Sequence, residues 1–228
     1  MVEPRQVEFF FDPICPWAYQ TSIWIREVSA ANGLAIDWRF FSLEEINRPE
    51  GKKHPWERPW SYGWSLMRVA AHLRRKDPDL VDRWYQAVGR AIHEEGQPAF
   101  EPEGAQAIAD ELGLGPTTVA DAIADPTTHD DVHADHDRVT SQHNAFGVPI
   151  LVFPGHPALF GPTVIPAPRA TEAMALWRVV TAWLEVPGLY EIQRPKTAQD
   201  MATISEAFEP YLRSRKWQSI QNQPPPPR

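Results

Sequence analysis

The chain has a single cysteine in 228 residues, Cys15. An internal disulfide is therefore excluded, and any redox cycle must draw its second sulfur from another molecule. One thiol also gives no reason to invoke oxidative folding and fits a reducing compartment. Basic charge is in the minority, with 22 Lys and Arg against 30 Asp and Glu for a net charge of -8. That balance disfavours binding along a phosphate backbone, which needs clustered cations, and is met by simple solubility. No stretch approaches the roughly 18 uninterrupted apolar residues of a membrane span. The start, Met1-Val2-Glu3-Pro4-Arg5, lacks a charged region leading into a long apolar one, so no secretory signal is expected and the expected location is the cytoplasm. A glycine-rich phosphate loop is missing too: Gly113-Leu114-Gly115 has neither the following glycine nor a preceding strand. There is no nucleophile-elbow motif to support Ser/His/Asp catalysis.

What the chain does have is 43% hydrophobic residues, ten tryptophans and 24 prolines. That suffices for one full core, with the tryptophans expected mainly inside it. Residues 7–11 (VEFFF) read as a strand, followed by an Asp12-Pro13-Ile14 turn. Pro16 suits the first position of a helix, Ile23, Trp24 and Val28 recur at helical spacing, and Asn32-Gly33 supplies a stop. Residues 34–43 read as a second strand. From about Trp60 to Phe146 the pattern is helical, broken at Gly113–Pro116 and Asp125-Pro126. Strand character returns at 149–153, a turn follows at Gly155-His156-Pro157, and 158–161 reads as a short partner strand. Residues 171–184 form an amphipathic helix, 198–216 a terminal one, and the Pro-rich end 221–228 is expected to be disordered. The order β-α-β, helical block, β-β-α lets two halves share one mixed sheet. We expect an α/β domain from 5–58 and 147–197, an all-helical insertion at 59–146 and an extension at 198–228.

Cys15 follows a strand and a turn and precedes a Pro-Trp helix start. Unpaired N–H groups and the helix dipole stabilise an anion there, so the position favours a reactive thiolate with a lowered pKa. The alternative is a small buried apolar residue.

Phe11-Asp12-Pro13-Ile14-Cys15-Pro16-Trp17 resembles the active-site segment of the DsbA-like branch of the thioredoxin fold, and Gly147-Val148-Pro149 resembles its cis-proline loop. Phe160-Gly161-Pro162 and Ile165-Pro166 fit the same pattern. Within that branch the chain is similar to the mycothiol-dependent nitroreductases, with further matches at Trp24-Ile25, Glu27-Val28, Asn47, Arg68-Val69-Ala70 and Ile92-His93 with Gly96. The resemblance spans about residues 7–197. It implies a thioredoxin-like fold, Cys15 as nucleophile and a cis Pro149 beside it, with the Val148 backbone pairing with a thiol peptide. It also places Trp17 in the site wall, with Asn47 and Trp56 near the thiol; Trp56 replaces a tyrosine. No tightly bound cofactor is implied. Mycothiol or glutathione would be the cosubstrate, a small electrophile or disulfide the substrate, and a homodimer is left open. The family segment is Cys-Pro-Trp-Cys, and here the last residue is Ala18. A dithiol cycle is thereby excluded and a monothiol cycle is expected. Two alternatives remain. One is an enzyme like the kappa-class glutathione transferases and chromene carboxylate isomerases, which activate a bound thiol with a serine where Cys15 stands. The other is a degenerate, non-catalytic thiol-binding module.

His129, His133, His136 and His143 recur at helical spacing. The surrounding Asp125, Asp130, Asp131, Asp135 and Asp137 favour a solvated polar face over a metal site, and no metal is expected. A subtler role is His136 as a charge partner of the thiolate, should its helix face the site. Arg74-Arg75-Lys76 reads as a solvated helix end.

Overall fold

A computed structural model describes residues 3–214. Strand β1 (Gln6–Phe11) is central, and Phe9, Phe10 and Phe11 are all buried. Consecutive apolar residues suit a strand covered on both faces, because neighbouring side chains point to opposite sides. Phe9 packs on Trp38, and Phe11 stacks on Tyr85 with ring centres 3.9 Å apart. Phe10 lies under the Arg138 guanidinium.

Helix α1 (Pro16–Asn32) carries the chain to β2 (Ala35–Phe40), parallel to β1. It ends where Gly33 adopts φ +67°, a left-handed conformation open to glycine, and the Gly33 N–H returns to the Ser29 carbonyl. Next come α2 (Leu43–Ile46), a 3-10 turn (Pro55–Glu57) and α3 (Tyr62–Arg74). The helices α4 (Asp79–His93), α5 (Pro102–Glu111), α6 (Thr118–Ala124) and α7 (Thr127–His143) follow. The chain re-enters the sheet as β3 (Ile150–Val152), antiparallel to β1, and pairs it with β4 (Leu159–Phe160). The strand order is β2-β1-β3-β4. Helix α8 (Ala170–Trp183) packs on α1, where Trp177 meets Trp24, and α9 (Ala198–Ser214) packs on α4. Trp24, Trp38, Trp64, Trp84 and Trp177 are buried. The expected disordered end at 221–228, with the last residues of the expected terminal helix, lies outside the described residues.

Two sequence expectations are corrected here. The acidic, histidine-rich stretch of α7 is not a solvated face throughout: Asp135 and His136 are buried. The reason is topological. Strand β2 is the edge of the sheet, and the outward N–H groups at its end need acceptors. Asp135 Oδ2 accepts from the Phe40 N–H at 3.3 Å, and His136 Nδ1 accepts from the Ser42 N–H at 3.2 Å. The basic cluster ending α3 is likewise not simply solvated. Arg74 pairs with Asp135 at 2.6 Å and lies over Phe40, and Arg75 pairs with Asp125 and Asp131. Its charges tie α3 to α7.

Candidate active site

Immediately after β1, the chain turns at Asp12, which is fully buried. Its carboxylate accepts from two backbone N–H groups, Ile14 at Oδ1 (3.2 Å) and Leu43 at Oδ2 (2.8 Å). The Cys15 N–H donates to the Asp12 carbonyl at 3.0 Å. One side chain thus fixes the turn before α1 and the start of α2. Helix α3 approaches the same carboxylate at Gly63, where an added Cβ would sit 2.3 Å from Asp12 Oδ1. From the other side, His93 Nε2 lies 2.8 Å from the Pro13 carbonyl. A carbonyl only accepts, so Nε2 carries the proton. The buried Nδ1 is left without a partner, and burial holds the ring neutral by lowering its pKa to about 4.

Cys15 is the N-cap of α1, with extended backbone (φ -87°, ψ 112°), and Pro16 occupies the first helical position. The first turn carries no acidic residue. Sγ accepts from the Ala18 N–H at 3.5 Å, and the thiol donates to the Val148 carbonyl at 3.7 Å. The Val148–Pro149 peptide is cis. The structure thus brings Cys15 together with the 148–149 loop across more than half of the chain.

The electrostatic expectation is overturned. Cys15 is only 5% exposed, and burial pushes its thiol up to about 12. The Ala18 and Trp17 N–H groups favour the thiolate, as a helix start should, while the Asp12 charge opposes it. Loss of hydration outweighs the helix start, because a thiolate needs water or close cations when hydrocarbon surrounds it. In this state Cys15 is a neutral thiol.

Of the other expected site residues, Trp17 is half-buried and meets the edge of Phe208 on α9 at 4.9 Å. Asn47 is the exposed C-cap of α2, its Nδ2 donating to the Leu43 carbonyl at 2.9 Å. Trp56 belongs to a second aromatic group: it stacks on His54 at 4.3 Å and packs with Trp64 and His133. Trp64 Nε1 donates to His129 Nδ1 at 2.8 Å. His136 does not serve as the thiolate's charge partner; its Nδ1 is used by the Ser42 N–H just past β2, and burial lowers its pKa so that it stays neutral. Among the described residues no three His, Cys, Asp or Glu side chains are grouped to hold a metal.

Sequence reasoning gave no role to Asp12 beyond the turn, none to His93, and none to Phe208 and Tyr211. The 198–228 segment was read as an extension beyond the family resemblance, without a role. Its helix α9 packs back on α4 and meets Trp17. Tyr211 is buried, lies tilted against His93 with ring centres 5.3 Å apart, and lines a small open pocket with Ile14, Tyr62 and Phe100. The spacing of Ile204, Phe208 and Tyr211 on one helical face was the available signal.

The fold is shared with known oxidoreductases. The cytosolic disulfide reductase DsbM from Pseudomonas aeruginosa superposes with a TM-score of 0.54 at 14% identity, covering 78% of this chain and 99% of DsbM, and DsbM has also been solved with GSH. A thioredoxin-like oxidoreductase from Silicibacter pomeroyi gives 0.53 at 16% identity, over 78% of this chain and 86% of its own. The fold is therefore thioredoxin-like. In sequence, the uncharacterized protein Rv2286c of Mycobacterium tuberculosis is 50% identical over 214 residues, 94% of this chain and 92% of that protein. Residues 14–194 match the Rv2466c-like family, described as mycothiol-dependent nitroreductase Rv2466c, and the chain belongs to that family of thiol-dependent oxidoreductases.

Proposed function

We propose that the protein is a monothiol oxidoreductase in which Cys15 exchanges with a low-molecular-weight thiol. The observation that carries this reading is the placement of Sγ at the α1 N-cap, within hydrogen-bonding reach of both the Ala18 N–H and the Val148 carbonyl. A bound thiol peptide could use the Val148 backbone to lie against Sγ. Position 18, where a resolving thiol would stand, is alanine, so release must come from an outside thiol. The cycle balances with small thiols alone. The deprotonated Cys15 sulfur attacks a disulfide RS–SR′, a Cys15–SR bond forms, and R′S⁻ leaves with the electron pair and takes up the Cys15 proton. A second thiolate then attacks the R sulfur of that mixed disulfide, restoring Cys15 and releasing a new small disulfide. Mycothiol or glutathione fits as the thiol, and a small electrophile or disulfide as its substrate. Trp17 forms part of the wall. Asn47 and the Trp56–Trp64 group border the outer approach through α2 and α3, which both meet the Asp12 turn. The helical segment 59–146 serves as an insertion shaping that approach, and the cytoplasm is the compartment such a cycle needs.

Intact mass after incubation with mycothiol disulfide and with glutathione disulfide tests this. One adduct, absent from Cys15→Ser and removed by free thiol, is the expected result. No adduct with either disulfide overturns it.

The neutral state of Cys15 favours one second reading. A buried thiol that donates to a carbonyl and accepts an N–H behaves as a serine hydroxyl does, which suits activation of a bound thiol cofactor without redox change. Turnover of a non-redox substrate that survives Cys15→Ser selects that reading.

A further inference from the structure

The helices α1 and α4 are pinned together at two places. One is Gly89, where an added Cβ would lie 2.3 Å from the Tyr19 ring, so the absence of a side chain lets α4 close on α1. The other is the Arg26–Asp82 pair at 2.7 Å. Between these contacts Ile23 and Ala87 stay only half-buried, and a groove of about 690 Å³ opens over them. Its far wall is the end of α5 at Glu111 and Leu112, with Arg169, the N-cap of α8, at the rim. Neither Cys15 nor the 148–149 loop lines it. The volume is in the range of sites that hold a small organic molecule.

The polar groups of the groove divide into matched and unmatched ones. Arg26 is held by Asp82 and donates to Ser22 Oγ at 2.7 Å. Arg90 pairs with Glu95 at 3.0 Å and Arg169 with Glu27 at 2.8 Å, and Glu94 accepts from the Tyr19 hydroxyl at 2.6 Å. The side chains of Arg83, Gln86 and Glu111 also line the groove, yet have no partner among the described residues. Arg83 and Glu111 are of opposite charge in one cavity and do not meet. A plain anion would satisfy Arg83 and face Glu111 across the same space, and a plain cation would do the reverse. A molecule that carries a carboxylate and an ammonium, with an apolar body to cover Ile23, Ala87 and Leu112, meets every open demand at once.

We propose that the groove between α1 and α4 is a second binding site, separate from the thiol, for a small zwitterion with an apolar side chain, of the amino-acid class. Arg83 holds its carboxylate, Glu111 its ammonium, and the Gln86 amide, both donor and acceptor, serves either end. The assignment stands apart from the monothiol reading, because no step of it uses Cys15.

The test is a titration of the full chain followed by amide NMR shifts. Four probes are used: L-phenylalanine; 3-phenylpropanoate, which lacks the ammonium; 2-phenylethylamine, which lacks the carboxylate; and glycine, which lacks the apolar side chain. L-phenylalanine is expected to bind wild type with a Kd of about 1 mM, moving amides of α1 and α4 and leaving the 148–149 loop unmoved. Each truncated probe should bind about tenfold more weakly. Arg83→Gln and Glu111→Gln, both at exposed positions, should each weaken L-phenylalanine by about tenfold. The losses should also be coupled: 2-phenylethylamine should bind Arg83→Gln as it binds wild type, and 3-phenylpropanoate should bind Glu111→Gln as it binds wild type. Arg178→Gln, an exposed charge on α8 outside the groove, is the control and should match wild type. Cys15→Ser should match it too. No saturation by L-phenylalanine at about 10 mM overturns the site. So do losses that simply add, or an equal loss in Arg178→Gln. A loss in Cys15→Ser, or shifts centred on the 148–149 loop, would put the ligand at the thiol and overturns it as well.

Discussion

Helices α1 and α2 begin at opposite oxygens of one carboxylate, and they are capped alike. Cys15 Sγ accepts the Ala18 N–H, and Ser42 Oγ accepts the Glu45 N–H at 3.1 Å, each three residues on. Asp12 binds the N–H of Ile14 beside one cap and that of Leu43 beside the other. The first turns differ. That of α2 carries Glu44 and Glu45, which balance the positive end of the helix and are tied to Arg58 and to Arg48 and His54. That of α1 carries Pro16, Trp17 and no acid, so its field is left for whatever anion forms at Cys15. The same local geometry therefore makes a structural cap at Ser42 and a candidate nucleophile at Cys15. Which outcome prevails is decided by the side chain, the neighbouring charges and the access of water.

The strongest way to break the comparison is at the carboxylate the two starts share. Asp12→Asn keeps the size but leaves one amide oxygen for two part-buried N–H donors, and sets an N–H₂ group against one of them. Hydrogen bonds to charged groups are worth about 1.5–3 kcal/mol, so a loss of roughly 2–3 kcal/mol in urea unfolding is expected. The same change removes the negative charge that opposes the thiolate, so the pH midpoint of Cys15 labelling should move down. A stable variant with an unmoved midpoint would show that Asp12 is neither a shared anchor nor a charge felt by the thiol.

How much of this was open to sequence follows from the range of each interaction. The start and end of α1 were legible because proline at the first position and glycine after the last are local signals. The β3–β4 hairpin was legible for the same reason, with its turn residues between short apolar runs. Helix α2 was missed, its first residue read as the end of a strand, because a helix of four residues owes its start to Ser42 and to Asp12, thirty residues away. The burial of Asp135 and His136 depends on β2 being an edge strand, which is a property of the sheet and not of α7. The least legible feature was the state of Cys15. Its N-cap position is written in the Cys-Pro-Trp segment, whereas its burial comes with partners in the 148–149 loop.

His93 sharpens the comparison, because it supports the α1 side through the Pro13 carbonyl. Its folded pKa of about 4 lies below the model-peptide value of about 6.5. Between those values the unfolded chain binds a proton that the folded chain refuses, so this group makes stability fall as pH drops through 6.5 towards 4. From pH 7 to pH 5 the expected loss is about 2 kcal/mol from this one imidazole. His129 and His136, also lowered by burial, add loss of the same sign. His93→Gln keeps a donor for Pro13 and cannot titrate. Urea unfolding at both pH values should find its pH dependence smaller than that of wild type by about that amount. An equal pH dependence in the two proteins would place the loss elsewhere.

The smallest effect separates the two caps themselves. Ser42→Ala removes the acceptor of the Glu45 N–H and should cost about 1 kcal/mol, as N-cap serine replacements do, without changing how fast Cys15 is labelled. Cys15→Ser does the reverse. A hydroxyl is a better acceptor for the Ala18 N–H than a thiol and still donates to the Val148 carbonyl, so stability should hold within about 0.5 kcal/mol or rise. The mixed disulfide, however, should vanish. Urea unfolding of both variants, beside intact mass after disulfide incubation, reads the two effects separately. If Cys15→Ser were instead destabilised as strongly as a core substitution, by about 2 kcal/mol or more, the sulfur would be packing as an apolar core atom. The α1 start would then differ from the α2 start in its packing and not in its chemistry.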